Sequence, residues 1–177
     1  MNTYKAICAA LLAIIFLSGV GPVRSQTTSA ADNPLDQIAW LVGGTWVAEN
    51  QAPDGSPVIT EVVFDWASHK KLITYSIIRK YGAKTVPTIE GMCGWHPGKK
   101  QLVLWEMDNH GNLTEAMLIV NGNKQSYEEL LYQADGSTLP IRAQGIREGE
   151  DVFIFKASIP KEGEWVEVFR ADYKRVK

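Results

Sequence analysis

This 177-residue chain has two cysteines, three histidines and a single apolar run of any length, and each scarcity excludes something. The apolar run, residues 6–20, follows Lys5 and precedes small residues, which is the pattern of an export signal. It is short of the roughly 20 residues a membrane helix needs, and no second run occurs, so no integral membrane segment is expected in the mature chain. Residues 1–25 are expected to be removed, with cleavage after Ser25, Ala30 or Ala31, and residues 26–33 read as a flexible leader. Cys8 lies inside the apolar run rather than just after it, which argues against a lipid anchor. Only Cys93 then remains, so no internal disulfide is possible even in an oxidising compartment.

Charge of either sign is also modest. Losing Lys5 and Arg24 leaves 16 basic against 20 acidic residues, a formal charge of −4. A phosphate backbone needs a basic face, so nucleic acid is excluded as a partner. No Gly-x-Ser-x-Gly elbow is present, and Gly91, Gly94 and Gly98 are spread along one strand and its turn with no helix after them, so they form no phosphate cradle. No linker, repeat or low-complexity stretch divides residues 34–177. They are expected to form one domain, able to bury roughly two thirds of its unfolded surface.

What the chain does have is a short apolar periodicity followed by strands. Leu35, Ile38, Leu41 and Val42 recur at helical spacing over Pro34 to Val42, with Asn33 or Asp32 as a cap and Gly43-Gly44 as the stop. Segments rich in Val, Ile, Tyr, Phe and Trp then alternate with turn clusters about every 10 to 12 residues, the sign of an all-β meander. Ten strands are predicted near residues 45–50, 58–66, 71–80, 87–95, 101–108, 113–121, 125–133, 139–147, 151–159 and 164–174. Tight turns such as Asn121-Gly122-Asn123, Asp135-Gly136 and Glu162-Gly163 supply the positive φ that hairpins demand, so sequence neighbours should pair. A flat sheet of that size exposes two edges. Closure into a single up-and-down barrel removes them, whereas a β-sandwich, the alternative, would need longer crossovers.

The helix followed by Gly44-Thr45-Trp46 resembles the Gly-x-Trp start of the calycins, the superfamily of lipocalins, fatty-acid-binding proteins and nitrobindin-type barrels. The block Gly91-Met92-Cys93-Gly94-Trp95-His96-Pro97, followed by Leu104-Trp105-Glu106, resembles exported bacterial lipocalin-like families. The resemblance implies that Trp46 packs at the closed end beside an arginine of the last strands, with Arg170 the first choice and Arg175 the second. Haem does not carry over, because nitrobindin-type proteins hold it through a late histidine and nothing after His110 is histidine. Val47-Ala48-Glu49-Asn50 also stands where those relatives have a glycine-rich segment.

The histidines do not converge. In a meander, His69 and His96 lie in turns at one end and His110 at the other, so no three-histidine metal site is expected. Cys93, on an apolar strand, reads as a buried inert thiol. The more informative residues are charges placed mid-strand. Tyr75 and Arg79 share one face of the third strand, Glu115 shares a face with Leu113, Met117 and Ile119, and Arg142 lies with Gln144 and Ile146. Any that point inward must meet a partner, water or ligand. Of six tryptophans, five fall on or beside strands, where they either line a cavity or fill the barrel.

The expected function is therefore an exported protein, in the periplasm or outside the cell, that binds a small hydrophobic molecule without a metal or cofactor. Tyr75, Arg79, Glu115, Arg142 and Trp105 are the candidate ligand contacts, and Gly44, Trp46 and Arg170 the structural ones. Two rivals stand beside it. One is a barrel enzyme of decarboxylase or isomerase type using Tyr75, Arg79 and Glu115, and the other is an envelope interaction module with a filled interior.

Overall fold

Each of ten antiparallel strands pairs with its neighbour in sequence, and the last pairs with the first, so the computed structural model is a closed up-and-down barrel. It describes residues 33–52 and 54–177; the expected signal and most of the leader lie outside the described residues. The strands are β1 (Thr45–Gln51), β2 (Pro57–Trp66), β3 (Leu72–Tyr81), β4 (Lys84–His96), β5 (Gln101–Asp108), β6 (Leu113–Asn121), β7 (Lys124–Tyr132), β8 (Thr138–Arg147), β9 (Val152–Lys161) and β10 (Glu164–Val176). Pro87, placed at the start of the fourth strand by its sequence, lies inside β4 at an irregularity opposite Ile77 and Ile78. That position suits a residue with no N–H to give to the ladder. Among the described residues no helix is long and apolar enough to cross a membrane.

The seam is short. Thr45, Trp46 and Val47 oppose Val176, Arg175 and Lys174, and farther along the Asn50 side-chain amide donates to the Arg170 carbonyl at 2.9 Å. Gly44 enters this seam with φ +77°, and a Cβ there would stand 2.9 Å from the Val176 carbonyl oxygen. Only glycine combines that backbone conformation with that approach.

The helix expected over Pro34–Val42 is instead two 3₁₀ turns, Pro34–Gln37 and Ala39–Leu41, broken at Ile38. Leu35, Ile38 and Leu41 are spaced by three, the period of a 3₁₀ turn, so all three point the same way and are buried. An α-helix would rotate each step by about 60° off that line, and nine residues are too few to stabilise one alone. The three side chains plug one end of the barrel. Trp46, fully buried behind them, donates from its indole N–H to the Leu41 carbonyl at 2.8 Å.

The arginine at this end is Arg175. Its guanidinium stacks on the Trp46 ring, 4.4 Å from the centroid, and donates to the Trp40 carbonyl. Arg170 lies five residues earlier and its side chain faces solvent, where it pairs with Asp172 at 3.0 Å. Strand alternation explains the exchange: Trp46 and Arg175 are register partners, whereas Arg170 pairs with Lys156 on the outer face. Edge-on contacts among Trp40, Trp46 and Phe153, with Tyr173 stacked on Phe153, make this end a solid aromatic layer.

Candidate functional site

Beyond that aromatic layer the barrel is not filled. A cavity of about 360 Å³ runs from Leu41 and Tyr173 at the plug toward Ile141, Ile159 and Val168 near the opposite end. Thirteen of its twenty lining residues are aliphatic or phenylalanine, so the wall is chiefly apolar. The exceptions are Thr60, Tyr75, Arg79, Glu106, Tyr127, Glu129 and Tyr173. A larger concavity of about 520 Å³, on the outer wall around Val63, Thr74, Met92, Trp105, Met107 and Leu113, is an open groove. The interior cavity is the better candidate because strands surround it and its apolar wall carries a few polar groups.

Alternation along β3 turns Ile73, Tyr75, Ile77 and Arg79 inward and Thr74 and Ser76 outward. Tyr75, Gly91 and Glu106 stand in one row across β3, β4 and β5. Gly91 carries no side chain, and the Tyr75 ring occupies the space: a Cβ on Gly91 would sit 2.3 Å from its Cζ. The phenol thus crosses β4 and donates to Glu106 Oε2 at 2.5 Å. Thr114, the register partner of Glu106 on β6, is buried beside that carboxylate.

Burial raises the Glu106 pKa, while the hydrogen bond from Tyr75 and the neighbouring Thr114 hydroxyl oppose the rise. Glu129, inward on β7, has no such support. Burial, followed by the charge of Glu106, pushes it up to about 8, and no hydrogen bond or ion pair holds it among the described residues. Burial and then the Glu106 charge hold the Tyr75 phenol well above its usual range. Tyr173 is raised to about 12 by burial, with nearby Arg79 pulling the other way. Tyr127 donates to Gln125 Oε1 at 2.6 Å. At neutral pH the wall therefore carries a protonated Glu129, with the Arg79 guanidinium and the Tyr75-bonded Glu106 lining the same space.

The sequence-based candidates divide between the two faces of the wall. Tyr75 and Arg79 line the cavity. Glu115 is outside, 3.5 Å from the Tyr132 hydroxyl, and Arg142 is outside, with its guanidinium 4.3 Å from the Trp165 ring centroid. Trp105 pairs with Met92 and Glu115 and borders the outer groove. These three touch nothing inside. Glu106 and Glu129 were missed because each sits in an ambiguous context: Glu106 follows Trp105 on a strand apolar on both faces, and Glu129 stands beside Glu128, which points out. The signal available was Gly91 opposite Tyr75, a gap that only an aromatic crossing inside would need.

No family model and no curated protein matches the chain. The closed ten-strand meander is compatible with a calycin or lipocalin-like fold on architecture alone. Cys93 is buried, and burial pushes its thiol up to about 12, which leaves no thiolate to react at neutral pH. Among the described residues no group of three His, Cys, Asp or Glu side chains is arranged to hold a metal.

Proposed function

We propose that this protein is an exported, lipocalin-like binder of a small hydrophobic molecule, held inside the barrel in the periplasm or outside the cell. The carrying observation is the mainly apolar cavity inside the barrel, lined by a few polar groups. Apolar ligand surface buried there would contribute about 25 cal/mol per Å², and Tyr75, Arg79, Glu106 and Glu129 would orient the polar end. The cavity lies at the lower end of the range for small-molecule sites, roughly 300–1,000 Å³, so a compact ligand fits better than a long lipid.

The test is organic extraction and mass spectrometry of protein purified from its own host, beside a variant whose cavity is filled by Ala157→Trp. A lipophilic compound recovered from the wild type and lost from the variant supports the reading. Identical extracts from both sink it. The enzymatic reading keeps one observation in its favour, the Tyr75–Glu106 hydrogen bond in the same cavity as the proton-bearing Glu129. With Glu115 on the outer wall, Glu106 takes the acid–base place in that reading.

A further inference from the structure

The cavity has an electrostatic asymmetry that narrows its ligand. Two carboxyl groups and one guanidinium line it, so when all are ionised the wall is net negative. Glu106 accepts one hydrogen bond, from Tyr75, yet a carboxylate accepts more than two. Glu129 faces the same space with no protein partner among the described residues. A buried carboxyl without a partner is expensive, and the group best able to relieve Glu129 while using the open acceptor sites of Glu106 is a compact cation with several donors on an apolar body.

We propose that the cavity binds a hydrophobic primary amine as its ammonium ion, with the ammonium between Glu106 and Glu129 and the hydrocarbon against the phenylalanines and isoleucines. This rests on the binding role proposed above and names its ligand class. The titratable and charged groups that line the cavity with Glu129 are Glu106 on β5, Tyr75 and Arg79 on β3, Tyr127 on its own strand and Tyr173 on β10. None of them but Arg79 is a cation, and an ammonium between the two acids is the missing counter-charge. When Glu129 is protonated, the ammonium displaces that proton to solvent, so the complex forms with net release of one proton and tightens as pH rises. The pKa of about 8 places this dependence between pH 6 and 9.

Calorimetric titration of the whole mature protein with decylamine, decanol and decanoate at pH 6, 7, 8 and 9 tests this. The expected result is decylamine bound about tenfold or more tightly than decanol at pH 8, gaining affinity from pH 6 to 8 while decanol stays flat. Glu129→Gln should remove both the preference and the pH slope, and Glu128→Gln on the outer face should change neither. Equal binding of decylamine and decanol would overturn the amine inference and leave the container standing. Decanoate tightest would overturn it in favour of Arg79 as the head-group contact. No binding of any of the three would overturn the container and the amine together. The ladder of ligands uses the wild-type protein, so a variant that fails to fold does not spoil it.

Discussion

Gly91 shows how a single missing side chain can organise a site. Its bare Cα lets the Tyr75 ring cross β4 to Glu106, and an added methyl would meet that ring at 2.3 Å. Gly91→Ala is therefore expected to destabilise the protein by about 1–3 kcal/mol through overpacking, measured by denaturant unfolding, and to weaken ligand binding by displacing the phenol. Glu129 gives a second residue-scale prediction, with a definite sign. Burial places it at about 8 in the folded protein, against the ordinary glutamate value of 4.5 in the unfolded chain. Between those values the folded protein keeps a proton that the unfolded chain has lost. Stability is fully present below the unfolded pKa, falls as pH rises through the folded one and then levels off. The limiting slope is about 1.4 kcal/mol per pH unit for one proton. Glu129→Gln removes this dependence, so unfolding curves at pH 5, 6.5 and 8 should draw closer together, with the largest gain in stability at pH 8.

At the scale of elements, the plug is where local sequence and long-range contact meet. Leu35, Ile38 and Leu41 supply the apolar face, but Trp46 and Arg175 tie it to the first and last strands. Trp46→Ala should cost about 3–5 kcal/mol, as expected for a large buried aromatic. Arg175→Ala should cost about 1–3 kcal/mol, because it removes a stacked cation and a hydrogen bond to the Trp40 carbonyl. Arg170→Ala, removing only an exposed pair with Asp172, should change stability by less than about 0.5 kcal/mol. Thermal unfolding of the two arginine variants side by side separates them; equal losses would contradict the assignment of Arg175 to the closed end.

For the whole molecule, closure rests on the three residue pairs joining β1 to β10 and on the Asn50 amide. Deleting residues 174–177 removes all three pairs and Arg175 at once, exposing two strand edges. The expected outcome is a lower melting temperature with loss of a single cooperative transition and a shift to dimers or larger species in size-exclusion chromatography. A truncated protein that stays monomeric and unfolds as sharply as the full chain would show that the seam is not what closes the barrel. The same closure makes the interior: without it the polar row from Tyr75 to Thr114 faces solvent and its perturbed proton affinities vanish.

The architecture was legible in the chain's local pattern. Turn residues and β-rich segments at regular spacing specify ten hairpin-linked strands, because short turns force sequence neighbours to pair, and Gly44-Thr45-Trp46 marked where the plug meets the first strand. The inside of the barrel was not legible there, because it depends on long-range register. Alternation divides each strand into two faces, but Leu102 to Trp105 and Leu130 to Tyr132 are apolar on both, so which face turns inward depends on register with neighbouring strands and on the seam. That register put Glu115, Arg142 and Trp105 on the outer wall and brought Glu106 and Glu129 in. It also chose Arg175 over Arg170, because a one-residue difference in register moves a strand side chain from the core to solvent.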